Sequence, residues 1–206
     1  MPANAGVRSR VRAWLPVIVV VGVAAIAGVV AIPLGGWDTV QLQSAVIPEQ
    51  PVGEPYVGHR LSTSIDDAYL TDASPDGHSE ADPGQTFLVV EATMEAVRTE
   101  PEFPLGDTDF YAFTIPGVLE LGTPIPILDY STVLKRDGTF GPSLIPGVPD
   151  TVVFVFTVPV TAFAGGDVVH IGVTDASPEK ANLFSGTRWV KPHVAVEVSI
   201  TVRDER

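Results

Sequence analysis

Twenty-one consecutive residues, Trp14 to Leu34, carry no charged side chain, and Arg8, Arg10 and Arg12 stand just before them. The uncharged stretch extends from Ala13 to Trp37. This run constrains the chain more than any other feature. Backbone N–H and C=O groups in lipid must be satisfied within their own segment, and a lone segment manages that only as a helix. At about 1.5 Å of rise per residue the run covers roughly 30 Å, the hydrocarbon thickness of a bilayer. Pro16 falls in the first turn, where a missing N–H costs little, and Pro33 falls where the helix stops. Trp14 and Trp37 flank the run at headgroup depth. The arginines lie on one side only, so the positive-inside rule places the N-terminus in the cytoplasm and the bulk of the chain outside.

The rival reading is a cleaved signal peptide, whose apolar stretch spans about 7–15 residues. The run here is longer, and its small-x-small stretch, Ala25-Ile26-Ala27, lies mid-run. A retained signal-anchor is therefore expected. Gly22, Ala25 and Gly28 could admit a neighbouring helix, but small residues are common in single anchors.

The expected organisation is a cytoplasmic basic tail (1–13), a transmembrane helix (14–34), an extracytoplasmic Pro/Gly linker (35–57) and a β-sandwich ectodomain (58–206). The linker carries Gly35, Gly36, Pro48, Pro51, Gly53 and Pro55. Fully stretched, it reaches about 70 Å at about 3.3 Å per residue.

After Leu34 the chain holds nine basic and 25 acidic residues, a balance of −16. Such a charge repels nucleic-acid phosphates and anionic headgroups. No basic patch interleaved with aromatics appears, so no nucleic-acid partner is expected. With no cysteine in the chain, no disulfide can hold the exported part together, and its stability must rest on a hydrophobic core. A domain of roughly 150 residues can build one, burying about 70% of its unfolded surface.

The apolar periodicity is that of strands. Arg60–Leu70 opens the domain. In Gln85–Val97, Leu88, Val90, Ala92 and Met94 share one face, and Glu91, Thr93 and Glu95 share the other. Asp109–Ile115 is short and aromatic, and Ile125–Leu134 is less regular. Thr151–Val158 is β-branched and aromatic throughout, as a central strand buried on both faces should be. Asp167–Thr174 groups Val169, Ile171 and Val173. In the last strand, Val194, Val196, Val198, Ile200 and Val202 alternate with polar or small residues. Turns are signalled by Pro75-Asp76-Gly77, Asp82-Pro83-Gly84, Asp137-Gly138, Ile145-Pro146-Gly147 and Gly165-Gly166. About seven short strands so punctuated predict an all-β fold, an antiparallel sandwich of immunoglobulin-like type, with a barrel as the alternative. Thr-Asp-Ala-Ser-Pro occurs at 71–75 and again at 174–178. Both copies read as turns after strands, and one binding edge built from the two loops is a further possibility.

Chemistry is hard to find. His59, His78, His170 and His193 lack metal-ligand spacing, and zinc needs about three or four converging ligands. His170 alternates with Val169 and Ile171 and is expected to face solvent. There is no Gly-x-Ser-x-Gly elbow and no Ser-x-x-Lys. Ser185 has no base marked nearby and reads as a turn serine. The acidic loop 72–82 gathers Asp72, Asp76, Glu80 and Asp82 around Gly77. That is the one candidate metal site, for calcium. Its spacing is not that of an EF-hand, and a solvated loop is the plainer reading. No catalytic residue and no cofactor is expected.

Two stretches carry a family resemblance. Pro83-Gly84-Gln85-Thr86-Phe87-Leu88-Val89-Val90-Glu91 gives a glycine followed by a hydrophobic strand. Ile145-Pro146-Gly147 precedes Val152-Val153-Phe154-Val155-Phe156-Thr157-Val158-Pro159. In these the chain resembles small immunoglobulin-like extracytoplasmic domains of unknown function in Gram-positive, high-GC bacteria, which are anchored by lipid or by one helix. The preference for arginine over lysine fits such a genome. The resemblance implies a fold and a location, and it transfers no site residue. The functional expectation is a membrane-anchored, non-enzymatic binding or accessory module of the cell envelope, partnered by another envelope or membrane protein. An envelope hydrolase with an unrecognised site, or a passive spacer, is the alternative.

Overall fold

A computed structural model describes residues 46–75, 77, 79–98, 111–123, 130–180 and 187–206. The tail, the 14–34 span, residues 35–45, Asp76, His78 and Ser185 lie outside the described residues. Those that are described form an all-β unit running from Val46 to Arg206. Its strands are β1 (Tyr56–Val57), β2 (Leu61–Thr71), β3 (Gln85–Ala96), β4 (Phe113–Thr114), β5 (Tyr130–Leu134), β6 (Asp150–Pro159), β7 (Val168–Lys180), β8 (Thr187–Thr201) and β9 (Arg203–Asp204). The larger sheet has the order β1-β2-β3-β6-β5, with β9 also on β2, and the smaller sheet has the order β4-β7-β8. All pairings are antiparallel except β2 with β9.

The alternation in the sequence explains the core. Leu88, Val90, Ala92 and Met94 of β3 and Val152, Phe154, Phe156 and Val158 of β6 are buried against Ile171 and Val173 of β7 and Val196, Val198 and Ile200 of β8. Phe113 of β4 closes the gap between the sheets. Its ring meets Phe154 edge-on at 4.7 Å between centroids. Each such side chain contributes about 1.5–3 kcal/mol on burial, which is how a chain without disulfides holds together.

β2 changes phase. Leu61, Thr63 and Ile65 are buried, then Ala68 and Leu70. The register slips between Ile65 and Asp67. One extra residue in a strand reverses which parity faces inward. Asp66 is that residue. Its carboxylate accepts from Ser64 Oγ and from Thr93 Oγ1, both at 2.7 Å.

A second, smaller apolar cluster lies on the outer face of the larger sheet. Phe87 and Val89 of β3, Val133 of β5 and Val153 and Val155 of β6 are buried there, with Tyr69 and Ala81 packed on them. β6 therefore lies between β3 and β5 and is buried on both faces, as its composition predicts.

Three features differ from the sequence reading. The fold takes in residues 46–57, which read as spacer. Gln50 N–H donates to Glu197 O at 2.8 Å, Glu197 N–H donates to Pro48 O at 2.9 Å, and Gly53 N–H donates to Ile65 O at 2.9 Å. This strap runs from the β8 edge of one sheet to the β2 edge of the other. Prolines and glycines signal an absence of regular structure, not an absence of contacts. Second, of Asp109–Ile115 only Phe113–Thr114 is strand among the described residues. Third, Thr174–Pro178 is not a turn. β7 continues through it to Lys180, with register shifts at Val173/Thr174 and Asp175/Ser177 that absorb the polar residues.

Candidate functional site

The Asp175 carboxylate takes part in four hydrogen bonds among the described residues, where the sequence suggests only a turn in a repeated motif. Its carboxylate accepts the His59 backbone N–H at 2.9 Å and the Ala176 N–H at 2.8 Å on Oδ1. On Oδ2 it meets His59 Nδ1 at 2.7 Å and the Tyr56 hydroxyl at 3.3 Å. A carboxylate only accepts, so His59 Nδ1 carries the proton. Burial pushes the Asp175 carboxyl upward, but the bonds from His59 and Ala176 outweigh it and hold the pKa below the ordinary carboxylate value. Burial, and then the nearby carboxylate, raise the Tyr56 phenol. Gly58 has no room for a side chain, since a Cβ there would lie 2.9 Å from Asp175 Oδ1. The group joins the β1–β2 connection to β7, and so ties one sheet to the other. No serine, threonine or lysine side chain contacts His59 among the described residues. The pair does the work of a clamp between the sheets.

The acidic loop does something the sequence does not announce. Ala81 N–H donates to Asp72 O and Ser74 N–H donates to Ser79 O, both at 2.8 Å, which closes the β2–β3 hairpin. Gly77 stands at φ 70°, the left-handed conformation that its turn requires. Asp72 accepts from Thr86 Oγ1 at 3.1 Å. Glu80 bridges to Ala73, and Asp82 O accepts from Gln85 N–H. Among the described residues no three metal-ligating side chains converge. Ser74 and Ser79 of the hairpin line a neighbouring cleft. The two Thr-Asp-Ala-Ser-Pro copies also part ways: Asp72 is exposed, Asp175 is buried, and they build no common edge.

Those serines border a cleft of about 190 Å³ on the outer face of the larger sheet. Its floor is Phe87, opposite Thr157 in the β3–β6 register. Val155 lies beside it, opposite Ser131 of β5. Ser74 and Ser79 form one wall. Phe140 stands at the rim, where the β5–β6 loop folds back, Val133 bridging to Phe140 and Gly141 N–H donating to Thr132 O. Phe140 is 56% exposed. Ser74, Ser79, Tyr130, Ser131 and Thr157 bring hydroxyls to the lining. Sequence reasoning gave Phe87, Ser131, Phe140, Val155 and Thr157 no site role. The available signal was a lone aromatic, Phe140, inside a Gly-bounded turn.

His170 is exposed, as the alternation predicts, and contacts Glu197 and Ser199 on the outer face of the smaller sheet.

No protein-family model and no curated protein matches the chain. Among solved structures it is similar to an uncharacterised β-sandwich protein from Clostridium difficile. The two are 11% identical, with a TM-score of 0.43, over 75% of this chain and 95% of that one. The pairing of the strands themselves, and not this likeness, defines the sandwich.

Proposed function

We propose that the chain is a non-enzymatic recognition module, an immunoglobulin-like sandwich held outside a cell membrane by residues 14–34 and directed at another component of the envelope. The observation that carries this reading is the outer-face cleft. It combines an apolar floor, an exposed ring and the hydroxyl-bearing side chains of Ser74, Ser79, Tyr130, Ser131 and Thr157, which is the composition of a binding surface. The strongest ionisable grouping, Asp175 with His59, is spent on joining the sheets, so hydrolysis has less to draw on. Cysteine-free composition, the acidic balance and the arginine-guarded apolar run support the location.

Photo-cross-linking in native membranes tests the reading. A photoreactive phenylalanine analogue at Phe140 should capture one reproducible envelope component. The same analogue at Val168, exposed on the smaller sheet, should not. Capture from neither position, or equally from both, overturns the proposal.

A further inference from the structure

We propose that the larger sheet carries a second docking site on the same outer face, a groove that receives a basic side chain from an extended segment of a partner protein. This goes beyond the recognition reading above, and the groove shares no lining residue with the cleft at Phe140. It encloses about 340 Å³. Strand register builds its floor. Ser62 of β2 stands opposite Glu95 of β3, and Ser64 stands opposite Thr93. Asp66 continues the row at the bulge, where its carboxylate accepts from Ser64 Oγ and Thr93 Oγ1. Gly53 and Pro55 of the strap wall the groove along β2, and Pro149 walls it where β6 begins.

Two features point to the occupant. The first is charge. The hydroxyls of Ser62, Ser64 and Thr93 run between the carboxylates of Asp66 and Glu95. All of these oxygens can accept hydrogen bonds. Thr93 and Glu95 lie about 7 Å apart along β3, so a cationic head between them reaches a carboxylate on either side. Arg136, on the β6 side, is already engaged by Asp137 and Asp150. The second feature is an apolar border. Val57, opposite Ser62 in the register, is 66% exposed, and Val97, Ile145 and Val148 are exposed as well. Backbone contacts bring them to the same end of the sheet. Ala96 bridges to Pro146, Val97 N–H donates to Arg60 O, and Val148 N–H donates to Ile145 O just before Pro149. Exposed apolar side chains gathered in one place mark contact with another protein. A free cation would leave them in water. The occupant is therefore a segment that carries arginine or lysine between apolar residues, with a charge that complements the groove.

The test is titration calorimetry on the full-length chain in a nonionic detergent. The probes are capped peptides with one arginine flanked by valines, the same peptide with lysine or with citrulline in its place, and spermidine and calcium as free cations. At least one basic peptide should bind at about millimolar Kd or tighter, and added salt should weaken it. Citrulline, a neutral isostere of arginine, should cost about tenfold, and Glu95→Gln should cost the basic peptides about as much. Val148→Ser should cost about threefold. Glu95 lies outside the core, so thermal unfolding of its variant should match the parent. Phe140→Ala should leave peptide affinity unchanged. Failure of both basic peptides to bind overturns the proposal. So does equal affinity for the citrulline peptide, indifference to Glu95→Gln, or spermidine or calcium binding as tightly as the peptides. If the Phe140 cross-linker captures a component while no basic peptide binds, this groove is not a site and the recognition reading stands. Peptide binding without capture removes the Phe140 cleft and keeps the groove.

Discussion

A buried carboxylate ties the two sheets of this fold together. Asp175 gathers two backbone N–H groups, a histidine and a tyrosine from segments far apart in sequence. Removing it leaves donors without partners, each costing about 1–3 kcal/mol. Asp175→Ala should therefore destabilise by about 2–4 kcal/mol in urea unfolding with little change in slope. The pH dependence has a definite sign. The folded carboxyl titrates below its ordinary value, so its contribution is fully present above the unfolded carboxylate pKa of about 3.9. It is lost as pH falls through the lower, folded value. The stability gap between parent and Asp175→Asn should be constant near neutrality and close as the solution becomes strongly acidic. A gap that widened in acid would contradict this assignment. The sequence hides Asp175 because the same five residues form an exposed turn at 71–75, and only the partner strand decides which copy is buried.

At the level of elements, strand edges are the liability of a sandwich, since unpaired N–H and C=O groups invite aggregation. Here the β2 edge is covered in succession by β1 at Ser62–Thr63, by Gly53 at Ile65 and by β9 at Tyr69–Leu70. The same strap bonds Glu197 of β8 on both its N–H and its C=O. The amide of Glu197 should thus exchange slowly in deuterated water. Deleting residues 46–50 should raise its exchange rate by at least about tenfold, while core amides such as Val90 stay protected. Unchanged protection at Glu197 would mean that the strap bonds do not persist in solution. Strands whose apolar residues keep one parity, such as β3 and the C-terminal half of β8, are legible from sequence within a residue or two. β2 and β7 are less so. The bulge at Asp66 reverses the parity of β2, and the register of β7 shifts around Thr174 to Ser177, so a period-two reading stops at both places. The strap is invisible to periodicity because it is held by backbone bonds alone.

At the scale of the whole molecule, the acidic balance and the apolar run make one statement about location. Protease added to intact cells should remove a C-terminal tag, whereas a tag placed before Arg8 should survive until the membrane is opened. Protection of the C-terminal tag in intact cells would reverse the orientation assigned by the arginines. The acidic surface also sets the character of any ligand, since anionic polymers approach it against repulsion at low salt.

Period-two alternation and β-branched runs are local properties, so the sequence alone determined that the described part of the chain after the linker is all-β, where β3 and β6 lie, and that it has no cysteine on which to lean. The site belongs to the tertiary structure. Phe87, Ser131, Phe140 and Thr157 come from four separate segments, and Ser74 and Ser79 from a fifth that reads as an acidic loop. Their meeting is fixed by the β3–β6–β5 register and by two loops folding back, which are long-range pairings that no window of sequence contains.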